Sequence, residues 1–264
     1  MNHAEHPVPV PSPFPVLPPR NAATNRFWLH LLDEAAAPYR AAGRFAWHFA
    51  RGKLGRDPVF RGMLERGDLH PGGRVVDIGC GQGLLVSLLQ RCGALAQAGH
   101  WPAGWPAAPV LTAYTGIELM PRDVQRAQAA VGGLVLPGSA SPRFVCGDMR
   151  QVALPACDLV VILDVLHYVD HAAQDALLQR VRDALRPHGR LLLRVGDMDA
   201  RRGFRISQWV DIVVTWVRGH RAPPTWGRPV VQWQAALQGL GFQVRAVPMS
   251  AGTPFANVLL VATL

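Results

Sequence analysis

Arg74-Val75-Val76-Asp77-Ile78-Gly79-Cys80-Gly81-Gln82-Gly83 decides the reading of this 264-residue chain, and Leu84-Leu85-Val86-Ser87-Leu88-Leu89 follows at once. An apolar run that ends in an acid and then three alternate glycines predicts a buried strand, a tight turn and the first turn of a helix. A residue without Cβ takes positive φ and lets a ligand lie against the main chain, with helix N–H groups facing it. A dinucleotide fingerprint, G-x-G-x-x-G, needs its third glycine at position 84, where Leu84 stands. The spacing is instead G-x-G-x-G, with Asp77 two residues ahead of the first glycine.

Working outward, Leu111 to Glu118 reads as a second strand with a carboxylate at its end, followed by a helix that starts at Pro121 and runs through Ala130. A carboxylate in that place can accept both hydroxyls of a ribose. Arg143 to Met149 reads as a third strand ending in Gly147-Asp148-Met149. Asp158 to Leu163 reads as a fourth strand whose uninterrupted apolar run, Leu159 to Leu163, suits a central parallel strand. It leads into Val165-Leu166-His167-Tyr168 and a helix over 171–186, and Pro187-His188-Gly189-Arg190 turns the chain into a fifth strand, 191–195. A last helix is expected over 230–240, then two closing strands, 242–247 and 257–263.

The Asp77-x-Gly79-x-Gly81-x-Gly83 pattern resembles the first motif of the class I S-adenosylmethionine-dependent methyltransferases. Glu118 with Leu119, Met120 and Pro121 is similar to that family's second motif, and Val165-Leu166-His167 to its fourth. His188 stands where the family's R-P-G-G turn has a glycine. The likeness covers residues 72–196 well and 230–264 in outline.

The resemblance implies an α/β Rossmann-like fold: a seven-stranded, mostly parallel sheet in the order 3-2-1-4-5-7-6, with helices on both faces. It implies S-adenosyl-L-methionine as cofactor, held by Asp77, Gly79, Cys80, Gly81, Glu118, Leu119, Asp148, Met149 and Asp164. In that frame Asp77 holds the turn, Glu118 grips the ribose, Asp148 accepts from the adenine amine, Met149 packs on its ring, and Asp164 lies near the ammonium.

Residues 1–20 form a proline-rich stretch expected to be a disordered leader, and 21–70 a helical N-terminal cap, with helices over 22–37 and 39–54. Residues 71–264 make the core, with an apolar helical insertion at 197–229 around Trp209 and Trp216. The helix over 39–54 places Phe45 and Phe49 on one face and Arg40, Arg44 and Arg51 toward another. Burial of its aromatics is the first reading, a cap whose Tyr39, Arg44, His48 or Arg51 meets a carboxylate the second. Its Tyr39 to Leu54 run also resembles methyltransferases of bacterial aryl-polyene and lipid pathways.

The formal charge is +9, yet Lys53 is the sole lysine and the arginines are scattered, which suits a solvated surface better than a nucleic-acid footprint. The 49% hydrophobic and 17% charged content is that of a globular chain. Cys80, Cys92, Cys146 and Cys157 lack zinc spacing and suit a reducing, cytoplasmic compartment; no secretory signal is visible. Cys92 to Ile117 carries no charged residue but is broken by Pro102, Pro106 and Pro109, so it reads as a loop rather than a membrane span. At most a peripheral membrane contact is expected.

His167 is the candidate general base, because an imidazole titrates near neutrality and its place is the sheet's carboxyl edge; helix capping or cofactor contact are its other readings. His167 and His171 have metal spacing, but the glutamate of H-E-x-x-H is missing and Tyr168 stands there, so no metal is expected. Tyr168, Trp209 and His220 are the candidate acceptor contacts. The expected reaction is methyl transfer to a small apolar or aromatic acceptor, a phenol or carboxylate oxygen, with no nucleic-acid partner. The rivals are methylene transfer to a lipid double bond, a nucleic-acid-binding or -modifying protein, and a scaffold without turnover.

Overall fold

The computed structural model describes residues 17–18, 20–69, 73–136, 140–197, 226–250 and 256–264. The proline-rich stretch through residue 16, the insertion that holds Trp209 and His220, and the turn at 251–255 lie outside the described residues.

Seven strands form one sheet: β1 Gly73–Ile78, β2 Leu111–Glu118, β3 Arg143–Cys146, β4 Cys157–Leu163, β5 Leu185–Gly196, β6 Gln243–Pro248 and β7 Asn257–Thr263. Their spatial order is β3-β2-β1-β4-β5-β7-β6, as the family resemblance implied. β1, β2, β3, β4 and β5 pair in parallel, and β7 runs antiparallel to both β5 and β6. Ile78 at the end of β1 pairs with Ile117 on one side and Ile162 on the other. The glycine turn therefore leaves the sheet from its middle, where helices cover both faces and apolar runs such as Leu159 to Ile162 are buried.

Among the described residues the α-helices are α1 Ala22–Ala36, α2 Arg44–Arg56, α3 Pro58–Arg66, α4 Leu84–Gln97, α5 Pro121–Val131, α6 His171–Ala184 and α7 Val230–Gly239. α1 opens with a capping box in which Asn21 and Thr24 satisfy each other's backbone N–H groups. It buries Trp28, Leu31, Leu32 and Ala35 at helical spacing. These residues share one apolar cluster with Leu85, Leu88 and Leu89 of α4, so the N-terminal helices pack on the same core as the sheet.

Three boundaries differ from expectation. Pro38 lies in a short 3-10 turn, Ala37–Arg40, and a third N-terminal helix, α3, follows α2 because Asp57 caps it and Pro58 fills its first position. α4 runs past Gly93 to Gln97, held by buried Cys92 and Leu95, so the loop begins at Ala98 rather than at Gly93. β5 starts at Leu185, where a register shift against β4 takes in the Pro187-His188 turn. Among the described residues no helix is long and apolar enough to cross a membrane.

Candidate active site

At Gly79 the chain turns sharply out of β1 with φ +74°, and the N–H groups of Gly79 and Cys80 both donate to the Ile117 carbonyl, at 2.8 and 3.1 Å. A Cβ on Gly79 would lie 2.5 Å from Val165 Cγ1, so glycine is required on steric as well as conformational grounds. Gly81, at φ +54°, has nothing within 4 Å of the place its Cβ would occupy. The bend is thus closed against β4 at its first glycine and open at its second, an arrangement that admits a ligand to bare main chain.

Glu118, from the end of β2, accepts the Gly81 N–H on one oxygen at 3.0 Å and the Met120 N–H on the other at 2.9 Å. Each oxygen keeps acceptor capacity for a hydroxyl. Beside it Leu119 is 59% exposed. The next strand brings Cys146 opposite Glu118 in register, its exposed Sγ 3.8 Å from the Leu119 carbonyl. Asp148 follows, with both carboxylate oxygens on the Arg150 guanidinium; that bond, against slight burial, holds its pKa below the usual carboxylate value. Met149 is half-buried against the apolar cluster of β4 and α6.

Asp77 is buried beneath the bend and accepts from the Tyr114 hydroxyl at 2.6 Å. Burial, opposed by the Tyr114 bond and reinforced by Glu118, pushes its carboxyl up to about 7. From the N-terminal segment, the Tyr39 hydroxyl donates to the Gln82 carbonyl at 3.0 Å, and the Gln82 amide reaches Asp123 at 3.3 Å. The Ser87 hydroxyl donates to the Ala35 carbonyl at 2.7 Å.

On the other side of β1 lies the end of β4. Asp164 takes φ +60° and is bonded by Arg194 Nε at 2.7 Å and by Arg194 Nη2. Arg194, on β5 and buried, also bonds Asp57 with Nη1 at 2.5 Å and Nη2 at 2.7 Å. Lys53 Nζ is 2.8 Å from Asp57 and 3.8 Å from Asp164. Burial would raise the Asp57 pKa, but Arg194 and then Lys53 outweigh it and hold the carboxyl well below its ordinary range.

His167 lies in the 3-10 turn Leu166–Tyr168 with its Nε2 shielded from solvent and its ring 4.2 Å from that of Tyr168. Burial lowers its pKa and the Asp164 charge only partly offsets this, so the imidazole is neutral at pH 7. The Trp226 N–H donates to the His167 carbonyl at 2.9 Å, and the Gln174 amide binds the carbonyls of Val169 and Trp226 at 2.9 and 2.6 Å. Tyr168 is 38% and Trp226 52% exposed beside this turn.

A family model described as a methyltransferase domain matches residues 46–247, well over half of the chain. The chain belongs to the class I S-adenosylmethionine-dependent methyltransferases. The cofactor of this methyltransferase is S-adenosyl-L-methionine, and the bend open at Gly81, with an acid and an exposed leucine beside it, fits a nucleoside. Among curated proteins it is similar to acetylserotonin O-methyltransferase of Mus musculus, 34% identical over 133 residues, 50% of this chain and 30% of that enzyme. It is also similar to carboxy-S-adenosyl-L-methionine synthase of Aeromonas salmonicida, 28% identical over 132 residues, 50% of this chain and 47% of that one. The methyltransferase thus matches less than half the length of either.

Among solved structures, an O-methyltransferase family protein from Burkholderia thailandensis superposes with TM-score 0.57 at 16% identity, covering 85% of this chain and 61% of that one. Magnesium protoporphyrin IX methyltransferase from Synechocystis, with bound S-adenosyl-L-homocysteine, gives 0.53 at 19% identity, covering 90% and 99%. These two likenesses concern the fold.

In the methyltransferase the sheet brings Gly79, Cys80, Gly81, Glu118, Leu119, Cys146 and Asp148 to the carboxyl ends of three neighbouring strands, and Asp164, His167 and Tyr168 to that of β4. Asp77 lies under the bend and accepts from Tyr114. Asp164 is already engaged by Arg194, whose presence inside Leu191-Leu192-Leu193-Arg194-Val195 was the available and unused signal. Tyr39 finds a carbonyl rather than a carboxylate, and Arg51 pairs with Asp33. Trp226, absent from the expected set, joins His167 through the backbone.

Proposed function

We propose that this methyltransferase moves the methyl group to an oxygen of a small apolar or aromatic acceptor, with His167 as general base. The observation that carries the reading is the place of the His167 ring at the sheet's carboxyl edge, 4.2 Å from the half-exposed ring of Tyr168, with the Trp226 N–H on the His167 carbonyl at 2.9 Å. Bound S-adenosylmethionine supplies an electrophilic sulfonium methyl. The protein's own part is positioning, exclusion of water and, for a hydroxyl nucleophile, removal of a proton. Gly79, Cys80 and Gly81 allow close approach of the main chain, Glu118 accepts from the ribose, Asp148 from the adenine amine, and Leu119 and Met149 offer apolar contact to the ring.

His167 takes the hydroxyl proton of a phenol on a ring nitrogen; a carboxylate acceptor, already ionised, needs no such step. Similarity to acetylserotonin O-methyltransferase supports an aromatic acceptor and oxygen as the target. Trp209 and His220 remain proposed acceptor contacts. Free cysteines throughout support a cytoplasmic setting. A small molecule, rather than nucleic acid, is the proposed partner.

Incubating the protein with methyl-labelled cofactor and cell extract, then identifying the labelled product, tests the reading. A labelled aromatic or apolar methyl ether or ester supports it. Label in nucleic acid, or in a derivative of the cofactor itself as the likeness to carboxy-S-adenosyl-L-methionine synthases raises, replaces it.

A further inference from the structure

α3 is fastened to the sheet at both ends, and the second fastening holds more positive charge than its acids balance. On β5, Arg190, Leu192 and Arg194 alternate onto one face, where Leu192 shares an apolar cluster with Met63 and Leu64 of α3. Arg194 bonds Asp57, the cap at the start of that helix. Arg190, about 13 Å back along the strand at 3.3 Å per residue, holds its other end. Its Nη1 donates to the carbonyls of Gly67 and Asp68 at 3.2 and 2.6 Å.

Three guanidinium groups meet at Asp68. Arg66 Nε donates to its Oδ2 at 2.7 Å and Arg245 Nη2, from β6, to its Oδ1 at 2.8 Å, while Arg190 binds its backbone carbonyl. The side chains of Asp68 and Arg66 are 1% and 8% exposed and that of Arg245 27%. Neighbouring Glu65 is already engaged by Arg20 and Arg61. With all these bonds made, Arg66 Nη2, Arg190 Nε and Arg245 Nη1 are each shielded from solvent and meet no acceptor among the described residues. Burial lowers the pKa of Arg66 and of Arg190, Asp68 partly restores it, and the Arg245 charge lowers it again, as like charges with too few acids require. A buried donor without a partner costs as much as a broken hydrogen bond, and a charged one costs more.

We propose that Arg66, Arg190 and Arg245 form a binding site for a small, doubly charged oxyanion of the phosphate or sulfate class, which pins the C-terminal end of α3 to β5 and β6. Its two charges balance the excess of three cations over one carboxylate, and its oxygens accept from the three orphaned N–H groups. The shielding of those atoms favours a free inorganic anion over the same group on a larger molecule. The site lies toward the amino end of the sheet, away from the glycine bend, and does not depend on the acceptor proposed above.

Calorimetric titration of the full chain with sodium phosphate, at an ionic strength fixed with sodium chloride, tests it. Binding should saturate at one anion per chain, and saturating S-adenosylhomocysteine should not displace it. Arg245→Gln, a change at a partly exposed side chain, and Arg190→Gln should each weaken it by about ten- to a hundred-fold, the scale of a charge-assisted hydrogen bond. Arg20→Gln, whose guanidinium serves Glu65 instead, should leave it unchanged. If Arg190→Gln does not fold, Arg245→Gln still decides. In thermal melts phosphate should raise the wild-type Tm to a plateau and should do so far less in Arg245→Gln. A rise that never saturates and is equal in Arg245→Gln is exclusion of a salt from the surface and overturns the proposal, as does displacement by S-adenosylhomocysteine. No binding to the wild-type protein assigns the orphaned donors to water and overturns it as well. Phenyl phosphate, the same group on a larger body, should bind more weakly than phosphate; tighter binding overturns the choice of a free anion.

Discussion

Tyr39 of the 3-10 turn donates its hydroxyl to the carbonyl of Gln82, forty-three residues later, at 3.0 Å. Burial, then Cys80 and Asp77, push the phenol's pKa up, so it stays a neutral donor. Gln82 is itself enclosed, with its peptide between Gly81 and Gly83, which couples the N-terminal helices to the bend. Tyr39→Phe strands that carbonyl and should lower stability by about 1–2 kcal/mol. It should also reduce the rise in Tm that S-adenosylhomocysteine produces. Thermal melts with and without the ligand check both, and an unchanged ligand-induced rise would separate Tyr39 from the bend.

Asp77 gives the fold a pH dependence of defined sign. Its carboxyl titrates near 7 when folded and near 3.8 when unfolded, so between those values the folded state holds a proton that the unfolded state has lost. Stability from this group therefore falls as pH rises from about 4 to 7 and is level above, an effect of up to about 4 kcal/mol. Asp77→Asn should flatten that part of the profile and stabilise the protein at pH 8. Tyr114→Phe, which removes the bond favouring the ionised form, should extend the decline to higher pH. Urea titrations across this range, if parallel for wild type and Asp77→Asn, contradict the assignment.

Cys146 is the exposed thiol of the four, and its Sγ lies against the Leu119 carbonyl at the expected adenine edge. Native protein should react quickly at one thiol and slowly at three. Saturating S-adenosylhomocysteine should slow the fast reaction at least about tenfold, roughly the ratio of bound to free protein at ten times Kd. Mass mapping of the labelled peptide checks the site. Equal rates with and without ligand would move the nucleoside away from the β2–β3 edge.

His167 predicts a one-sided rate profile. Its pKa lies below the ordinary 6.5, so the basic form is present at neutral pH and is lost only on acidification. With a phenolic acceptor, turnover should be flat above pH 7 and fall below 6.5. His167→Ala should lower kcat by about a hundredfold or more, the usual scale for a general base, with S-adenosylhomocysteine affinity unchanged. A carboxylic acceptor would leave kcat nearly intact.

The bend could be read from sequence because it rests on local signals, an apolar strand, an acid and glycines at fixed offsets, whereas the strand order came from the family resemblance those residues carry. The positions of Glu118 at the end of β2 and of His167 in the turn after β4 were legible in the same way. What spacing could not give was long-range pairing. Arg194 meets Asp57 across 137 residues, and no periodicity encodes that. Helix ends were hidden too: Gly93 sits inside α4, where packing of Cys92 and Leu95 outweighs the propensity penalty of one glycine. α3 had no counterpart among the expected helices, although Pro58 stands in its first helical position, where proline is a starter.

β7 lies between β5 and β6 although it is the last strand in the sequence. During synthesis the sheet accordingly stays split until Asn257 to Thr263 emerge, with β5 and β6 each presenting an unsatisfied backbone edge to neighbouring chains. A product truncated before Asn257 would keep the whole glycine bend and still be aggregation-prone, failing through exposed strand edges rather than through its chemistry.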